Sequence, residues 1–310
     1  MIKDLFNITV FLGILASGIR LATPYLYASI GETFGQRSGV LNLGVEGQML
    51  LGAFAAFYIS IETGNLWLGV LVAMGVGALM GLAMAFVTIN LQAKQGISGI
   101  GFYLFGLGMS NLLFQLLVGT VETVSGFPKI DIPILVEIPI IGSILFSQNI
   151  LVYLAFLLVP TAWFVLNKTT LGLNIRAVGE NPEAADSLGV SVARVRYFTI
   201  ILGGILSGLG GASLSVALLN VFQQNMTSGL GFIAVALVYF GGWRPWGALA
   251  GALLFSMVNA LQLWIQVLGI PIASELAVML PYILTILVLT VSGRKMRTPS
   301  ALTKPFVREG

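Results

Sequence analysis

Lys168–Arg196 reads KTTLGLNIRAVGENPEAADSLGVSVARVR, the longest strongly polar stretch in a chain that is otherwise almost continuously apolar. Long apolar runs lie on both sides of it, so the segment reads as a loop between two membrane spans. It carries its own helix punctuation. Asn181 suits an N-cap, and Pro182 suits the first helical position, where an N–H would go unused. Glu183 and Asp186 sit toward the positive end of the helix dipole, and Gly189 suits the left-handed residue that ends a helix. About two turns result, too few to be stable alone in water. Such a helix needs a surface to lie against. The plainer reading, a solvated loop holding one helical turn, stands beside it.

Working outward, the 310 residues are 57% hydrophobic and 9% charged, with a mean hydropathy of +0.98. A soluble domain has roughly a quarter of its residues charged. This composition predicts an all-α polytopic membrane protein, with about eight to ten transmembrane helices at about 20 apolar residues per crossing. Spans are expected at 8–31, 39–61, 66–90, 98–119, 150–167, 194–217, 229–243, 246–267 and 275–292. Together they make residues 1–310 a single transmembrane domain, with a cytoplasmic loop at 168–196 and an extracytoplasmic segment at 120–149. The start resembles a signal peptide, with Lys3, an apolar run and then Ala16-Ser17-Gly18. The apolar pattern continues past Arg20 to Ile30, so an uncleaved first span is expected.

Orientation follows from the cations. With the 168–196 loop inside, Arg37, Lys94, Lys168, Arg176, Arg194, Arg196, Arg244, Arg294, Lys295, Arg297, Lys304 and Arg308 all fall inside. Only Lys3 and Lys129 fall outside, and Arg20 lies within a span. This bias predicts a plasma-membrane protein with its N-terminus outside and its C-terminus in the cytoplasm. The external 120–149 stretch, broken by Pro128, Pro133 and Pro139, is not a span. A re-entrant or surface-lying helix is expected there. The 229–243 segment is short for a crossing and ends at Gly241-Gly242, which predicts a broken or half-depth helix.

The chain has no cysteine and no histidine. Disulfide and thiolate chemistry are excluded, and so are the commonest acid–base group and the commonest metal ligand. No paired carboxylates or metal spacing suggest an enzyme, no cofactor is expected in this chain, and no basic patch with exposed aromatics suggests nucleic acid. Small residues recur four apart at Gly204-Gly208-Ala212, Ser207-Gly211-Ser215, Gly77-Gly81 and Gly247-Gly251, which predicts closely packed helices.

The second span opens Gln36-Arg37-Ser38-Gly39-Val40-Leu41-Asn42-Leu43-Gly44-Val45-Glu46-Gly47-Gln48-Met49-Leu50-Leu51-Gly52-Ala53. Asn42 and Glu46 are four apart, a spacing that puts them on one helix face. A carboxylate this deep in a span needs a cavity or a partner, and Arg20 and Arg37 are candidate partners. Two readings are equal here: a polar lining for a solute pathway, and a structural clamp between helices.

The Arg37–Ala53 block resembles the signature of permease subunits from the branched-chain amino acid, ribose and nucleoside group of ABC importers. The blocks Ile175-Arg176-Ala177-Val178-Gly179-Glu180-Asn181-Pro182 and Gly231-Phe232-Ile233-Ala234-Val235-Ala236 through Gly241-Gly242-Trp243-Arg244-Pro245 match it in order. The resemblance runs from about Arg37 to Gln262 and is nearest to the shorter of the nucleoside-type permeases. Glu183-Ala184-Ala185 followed by Gly189 resembles the cytoplasmic motif with which ABC permeases dock on their ATPase. The second half of that motif is absent, since Thr199, Ile201 and Leu202 stand in its place. That departure makes the vitamin B12 importer (type II) bundle the expected architecture.

The resemblance implies a transport subunit rather than an enzyme. The residues expected to couple to the ATPase are Asn181, Pro182, Glu183, Ala184, Ala185 and Gly189. No Gly-x-x-x-x-Gly-Lys-Ser/Thr phosphate loop is present, so ATP is expected on separate ATP-binding cassette subunits. A second permease subunit, forming a heterodimer, and an extracytoplasmic solute-binding protein complete the implied system. The implied cargo is a nucleoside or a simple sugar such as ribose, with a vitamin such as riboflavin as a further option. Candidates for the translocation pathway are Asn42, Glu46, Tyr103 and Asn111. Gln115, Asn220, Gln223, Asn225, Asn259, Gln262, Phe102 and Phe105 are also available, and helix packing is the plainer reading for each. The alternative is a self-contained secondary transporter. It would need intramembrane ionisable groups, for which only Glu46, Arg20 and Glu32 qualify.

Overall fold

The computed structural model describes residues 8–139, 141–269 and 297–307, with isolated positions between 276 and 290. The span expected at 275–292 lies outside the described residues apart from those positions, as do Lys3, Arg294, Lys295 and Arg308. The chain is a helical bundle. Its first four helices are α1 (Ile8–Arg37), α2 (Val45–Thr63), α3 (Leu66–Ala85, extended by a π-helical turn Phe86–Asn90) and α4 (Gln95–Leu117). An irregular segment follows, containing the strands β1 (Lys129–Asp131) and β2 (Ser147–Asn149) with the one-turn α5 (Ile141–Leu145) between them. Then come α6 (Ile150–Lys168), α7 (Thr170–Glu180), α8 (Pro182–Ser187) and α9 (Val192–Ser213, with a π-helical turn Leu214–Leu218). The last two described helices are α10 (Leu230–Phe240) and α11 (Pro245–Val267).

Six of these helices are long and apolar enough to cross a membrane: Val10–Arg37, Leu66–Asn90, Gln95–Leu117, Ile150–Lys168, Val192–Leu218 and Pro245–Val267. α2 is less apolar because it carries Glu46, Gln48 and Glu62, yet every residue from Val45 to Phe57 on it is buried. A helix buried all round belongs at the centre of a bundle. α9 is the other central helix and packs against α1, α2 and α3. Glycines set that spacing: a Cβ on Gly77 or on Gly204 would strike the other residue's carbonyl oxygen, and one on Gly211 would strike the Met49 carbonyl. The recurrent small residues of α3 and α9 are therefore where backbones touch.

Three departures from the sequence reading matter for function. The second helix starts at Val45, so Asn42 lies in the non-helical run before it and does not share a helix face with Glu46. The 120–149 segment forms a small antiparallel hairpin rather than a surface helix, with Lys129 opposite Asn149 and Thr123 bridged to Val221. Residues 170–180 form a helix of their own, α7, capped by the Thr169 side chain. The short 229–243 segment is α10, with 11 helical residues. At 1.5 Å per residue that is about 16 Å, half of a roughly 30 Å hydrocarbon core.

Candidate functional site

Two interrupted helices meet inside the bundle. α2 begins only after the run 38–44, and the Asn42 N–H donates to Glu32 Oε1 at 2.9 Å. Glu32 lies five residues before the end of α1, so the run before α2 folds back along that helix. α10 begins after the run 219–229, whose backbone is left-handed at Asn225, Ser228 and Gly229. Such runs expose N–H groups that need acceptors when water is excluded.

Glu46 supplies the acceptors. Its Oε1 receives the Thr227 hydroxyl at 2.6 Å and the Gly229 N–H at 2.7 Å, and its Oε2 receives the Gly231 N–H at 2.6 Å. The carboxylate is 1% exposed and sits on the positive end of α10. Neither Arg20 nor Arg37 pairs with it, contrary to the sequence expectation. Arg20 reaches Ser17, and the Arg37 Nε–H donates to the Trp243 carbonyl at 2.9 Å. Of the two readings held equal for Glu46, this geometry is that of a clamp. The Asn42 side chain is engaged locally: its Oδ1 accepts from the Gly44 N–H, and its Nδ2 donates to Gln48 Oε1. Tyr103 lies beside the same junction, its ring edge-on to Phe232 at 5.1 Å. Asn111 is about two turns further along α4. Its Oδ1 is buried without a hydrogen-bond partner among the described residues.

A second polar network ties the end of α1 to the end of α10. Gln36 Nε2 donates to Glu32 Oε1 at 3.1 Å, and the Trp243 indole N–H donates to Gln36 Oε1 at 2.8 Å. Sequence reasoning did not find the Gln36–Trp243 pair, whose residues lie 207 apart in the chain.

The 168–196 loop holds both its expected helix and the unexpected one. The Asn181 side chain caps α8 by accepting the Ala184 N–H at 3.0 Å, Pro182 takes the first turn, and Gly189 is left-handed at φ +84°. α7 closes on the end of α1 so tightly that a Cβ on Gly179 would strike the Arg37 carbonyl. The tail then laces these parts together. The Ala301 N–H donates to the Gly179 carbonyl at 2.9 Å, and the Thr303 N–H to the Gly39 carbonyl at 3.1 Å. Arg196 of α9 donates to the carbonyls of Ser38 and Lys304, each at 3.2 Å. These bonds connect α7, the end of α1, the tail and α9. The six coupling candidates divide by face: Ala185 is 3% exposed and packs inside, Pro182 is half-buried, and Asn181, Glu183, Ala184 and Gly189 are exposed, along with Leu188 at 85%. Leu188 had not been singled out; an apolar residue beside the left-handed Gly189 was the available signal.

α4 is the outlier among the long helices. Its mean hydropathy of 1.5 lies within the 1.3–2.4 range of the other long helices, yet only 17% of its apolar 18-residue stretch is buried, against 33% or more in each of the others. Gly101 and Gly108 on it face open space where a Cβ would stand, and Gln115 is exposed. These three residues are seven apart and share one face, opposite Gly99, which touches Leu43 in the run before α2, and Gly106, which touches Gly47 of α2.

Residues 14–289 match the family described as branched-chain amino acid transport system / permease component. A Haloferax volcanii protein provisionally named a glucose ABC transporter permease is 40% identical, over 96% of this chain and 98% of its own. The guanosine ABC transporter permease protein NupQ of Bacillus subtilis is 37% identical, over 93% and 94%. A second guanosine permease protein of that organism, NupP, is 27% identical over 82% and 75%. No solved structure matches the chain.

Proposed function

Since the chain belongs to the branched-chain amino acid transport system / permease component family, we propose that this multi-pass ABC permease carries a nucleoside, with a simple sugar as the second cargo class. The guanosine relative supports the first cargo and the glucose relative the second. Both cargoes present ring hydroxyls, and side-chain amides such as Asn111 and Gln115 can donate to and accept from them. The observation that supports the pathway assignment is α4, the least buried of the six long helices, whose Gly101, Gly108 and Gln115 line one open face. We assign its Gly101–Gly108–Gln115 face to the cavity shared with a second permease subunit. The paired guanosine permeases of one organism support a heterodimer.

ATP is bound by separate ATPase subunits, which dock on α8 through Glu183, Ala184 and Leu188. A solute-binding protein delivers cargo at the opposite end, over the β1–β2 hairpin. The α7–α8 end faces the cytoplasm, as the distribution of cations requires. A self-contained carrier is disfavoured because the carboxylate of Glu46 is fully engaged with α10.

Two experiments test this reading. The reconstituted importer should take up labelled guanosine in preference to ribose or glucose; sugar uptake without nucleoside uptake would reverse the cargo order. In this cysteine-free chain, Lys129→Cys should react with an impermeant maleimide from outside intact cells and Glu183→Cys should not. Labelling at 183 from outside would invert the topology.

A further inference from the structure

At the α7–α8 end of the bundle, the last turns of α1 and α6 and the first turn of α11 surround a cavity of about 460 Å³. Its charged lining is cationic throughout, made of the guanidinium groups of Arg37, Arg176 and Arg244. Arg37 lies within electrostatic reach of the other two and of the Glu180 carboxylate. Glu180 is itself engaged by the Ser300 hydroxyl at 3.1 Å. The Arg37 Nε–H is used on the Trp243 carbonyl and the Arg176 Nε–H on the Gly172 carbonyl. No further hydrogen bond to either guanidinium forms among the described residues. The one carboxylate within reach, Glu180, offsets only one of the three cations, so a net positive charge remains for a bound anion to neutralise. The backbone adds to the same field. α11 starts at this cavity with no side-chain cap, so its first-turn N–H groups at Trp246 and Gly247 present the positive end of a 23-residue helix.

The surroundings indicate which anion fits. Trp163 and Trp246 line the cavity and are 38% and 50% exposed, the placement that indole rings take at the headgroup level of a bilayer. Toward the membrane interior, the seam between α6 and α11 is apolar, with Phe156, Leu249 and Leu253 partly buried along it. A free phosphate would satisfy the arginines but leave that seam and both indoles unused. We propose that this cavity seats the headgroup phosphate of an anionic phospholipid. Arg176 and Arg244 clamp the phosphate, and an acyl chain lies along the α6–α11 seam. The leaflet depends on the orientation proposed above, but the site itself does not.

The test uses the full chain, delipidated in detergent and titrated with palmitoyl-oleoyl phosphatidylglycerol. Native mass spectrometry counts the retained lipid, with phosphatidylcholine of the same chains as the control. Phosphatidylglycerol should be retained about tenfold better, and Arg176→Gln/Arg244→Gln should abolish the preference; Arg37 is left intact because it holds the Trp243 backbone. A fluorescence measurement covers the case in which that variant does not accumulate. In phosphatidylcholine nanodiscs, brominated phosphatidylglycerol should quench the wild-type protein more than brominated phosphatidylcholine does. The excess should vanish in Trp163→Phe/Trp246→Phe. Equal retention of the two lipids, or a preference that survives in the arginine variant, overturns the site. Displacement of the lipid by millimolar inorganic phosphate overturns the lipid assignment in favour of a soluble anion. Neither readout involves transport, so a wrong cargo assignment would leave the result unchanged.

Discussion

α9 and α4 are both glycine-bearing helices long enough to cross a membrane, but α9 packs Gly204, Gly208 and Gly211 against neighbouring backbone, whereas α4 does so with Gly99 and Gly106 and leaves Gly101 and Gly108 open. In α9, 78% of the span is buried, and Gly204, Gly208 and Gly211 each stand where a Cβ would enter a neighbouring backbone. In α4, 17% is buried, and Gly101 and Gly108 face nothing within 4 Å. Sequence spacing treats the two alike. The difference shows that a small residue in a membrane helix records a close approach that is either complete within the chain or still to be made. The α9 contacts are complete, whereas the Gly101–Gly108–Gln115 face of α4 is open among the described residues and, on the reading proposed above, is where the second permease subunit packs.

The sharpest way to break this comparison is to fill both kinds of position. Gly204→Leu should abolish folded protein. The obstruction is the Gly77 backbone, which cannot rotate away as a side chain would, and overpacking costs about 1–3 kcal/mol even where neighbours can adjust. Gly108→Leu should leave the isolated chain as stable as wild type, because an open helical glycine gives up about 1 kcal/mol relative to better helix formers. It should nevertheless reduce association with the second permease subunit. Membrane yield, thermal stability and co-purification of the second subunit check both variants. If Gly108→Leu still pairs fully, the α4 face is a lipid surface after all.

Glu46 ranks next. Glu46→Ala leaves the Gly229 and Gly231 N–H groups and the Thr227 hydroxyl without their acceptor, at a cost of about 1–3 kcal/mol for each buried group. Glu46→Gln keeps one acceptor but turns an amide donor toward a backbone donor, so its loss should be about half as large. Thermal unfolding should rank wild type, Gln and Ala in that order. A Gln variant of wild-type stability that fails only in uptake would return Glu46 to the pathway.

What the sequence made legible follows from which interactions side-chain identity encodes. The bundle, the half-depth α10 and the Asn181, Pro182 and Gly189 punctuation of α8 were all readable, because hydropathy and capping are local. The need of Glu46 for a partner was readable, but the partner was not. The expectation was an arginine, whereas Glu46 is held mainly by backbone amides over 180 residues away, and every residue type carries those. The tail is similar: Ala301 and Thr303 bind through their main chains, so neither could mark the knot. α7 was missed for another reason. Leu171, Ile175 and Val178 have helical spacing, but among so many polar neighbours the segment read as loop.

The smallest expected effect on stability falls on the coupling surface, where the comparison between finished and unfinished contacts applies outside the membrane. Ala185 belongs to the finished side, buried with Val192 and Val195 in the chain's own core, so changing it would confuse folding with docking. Ala184 and Leu188 belong to the other side, and Leu188, the C-cap of this six-residue helix, is 85% exposed. So short a helix has little stability of its own and holds its shape through the Asn181 cap and the buried Ala185. Leu188→Glu removes no intramolecular contact of consequence, and surface changes of this kind shift stability by about 0.5 kcal/mol or less. It should, however, place a charge in the centre of an apolar contact with the ATPase, where a desolvated, unpaired carboxylate is costly. The expected outcome is a permease that inserts and unfolds like wild type, yet recovers less than a tenth of the ATPase in a pull-down and loses uptake in proportion. Leu188→Met, similar in volume and apolar, should restore both. Full ATPase recovery with Leu188→Glu would show that α8 meets the ATPase elsewhere, and would leave an 85% exposed leucine without a reason to be there.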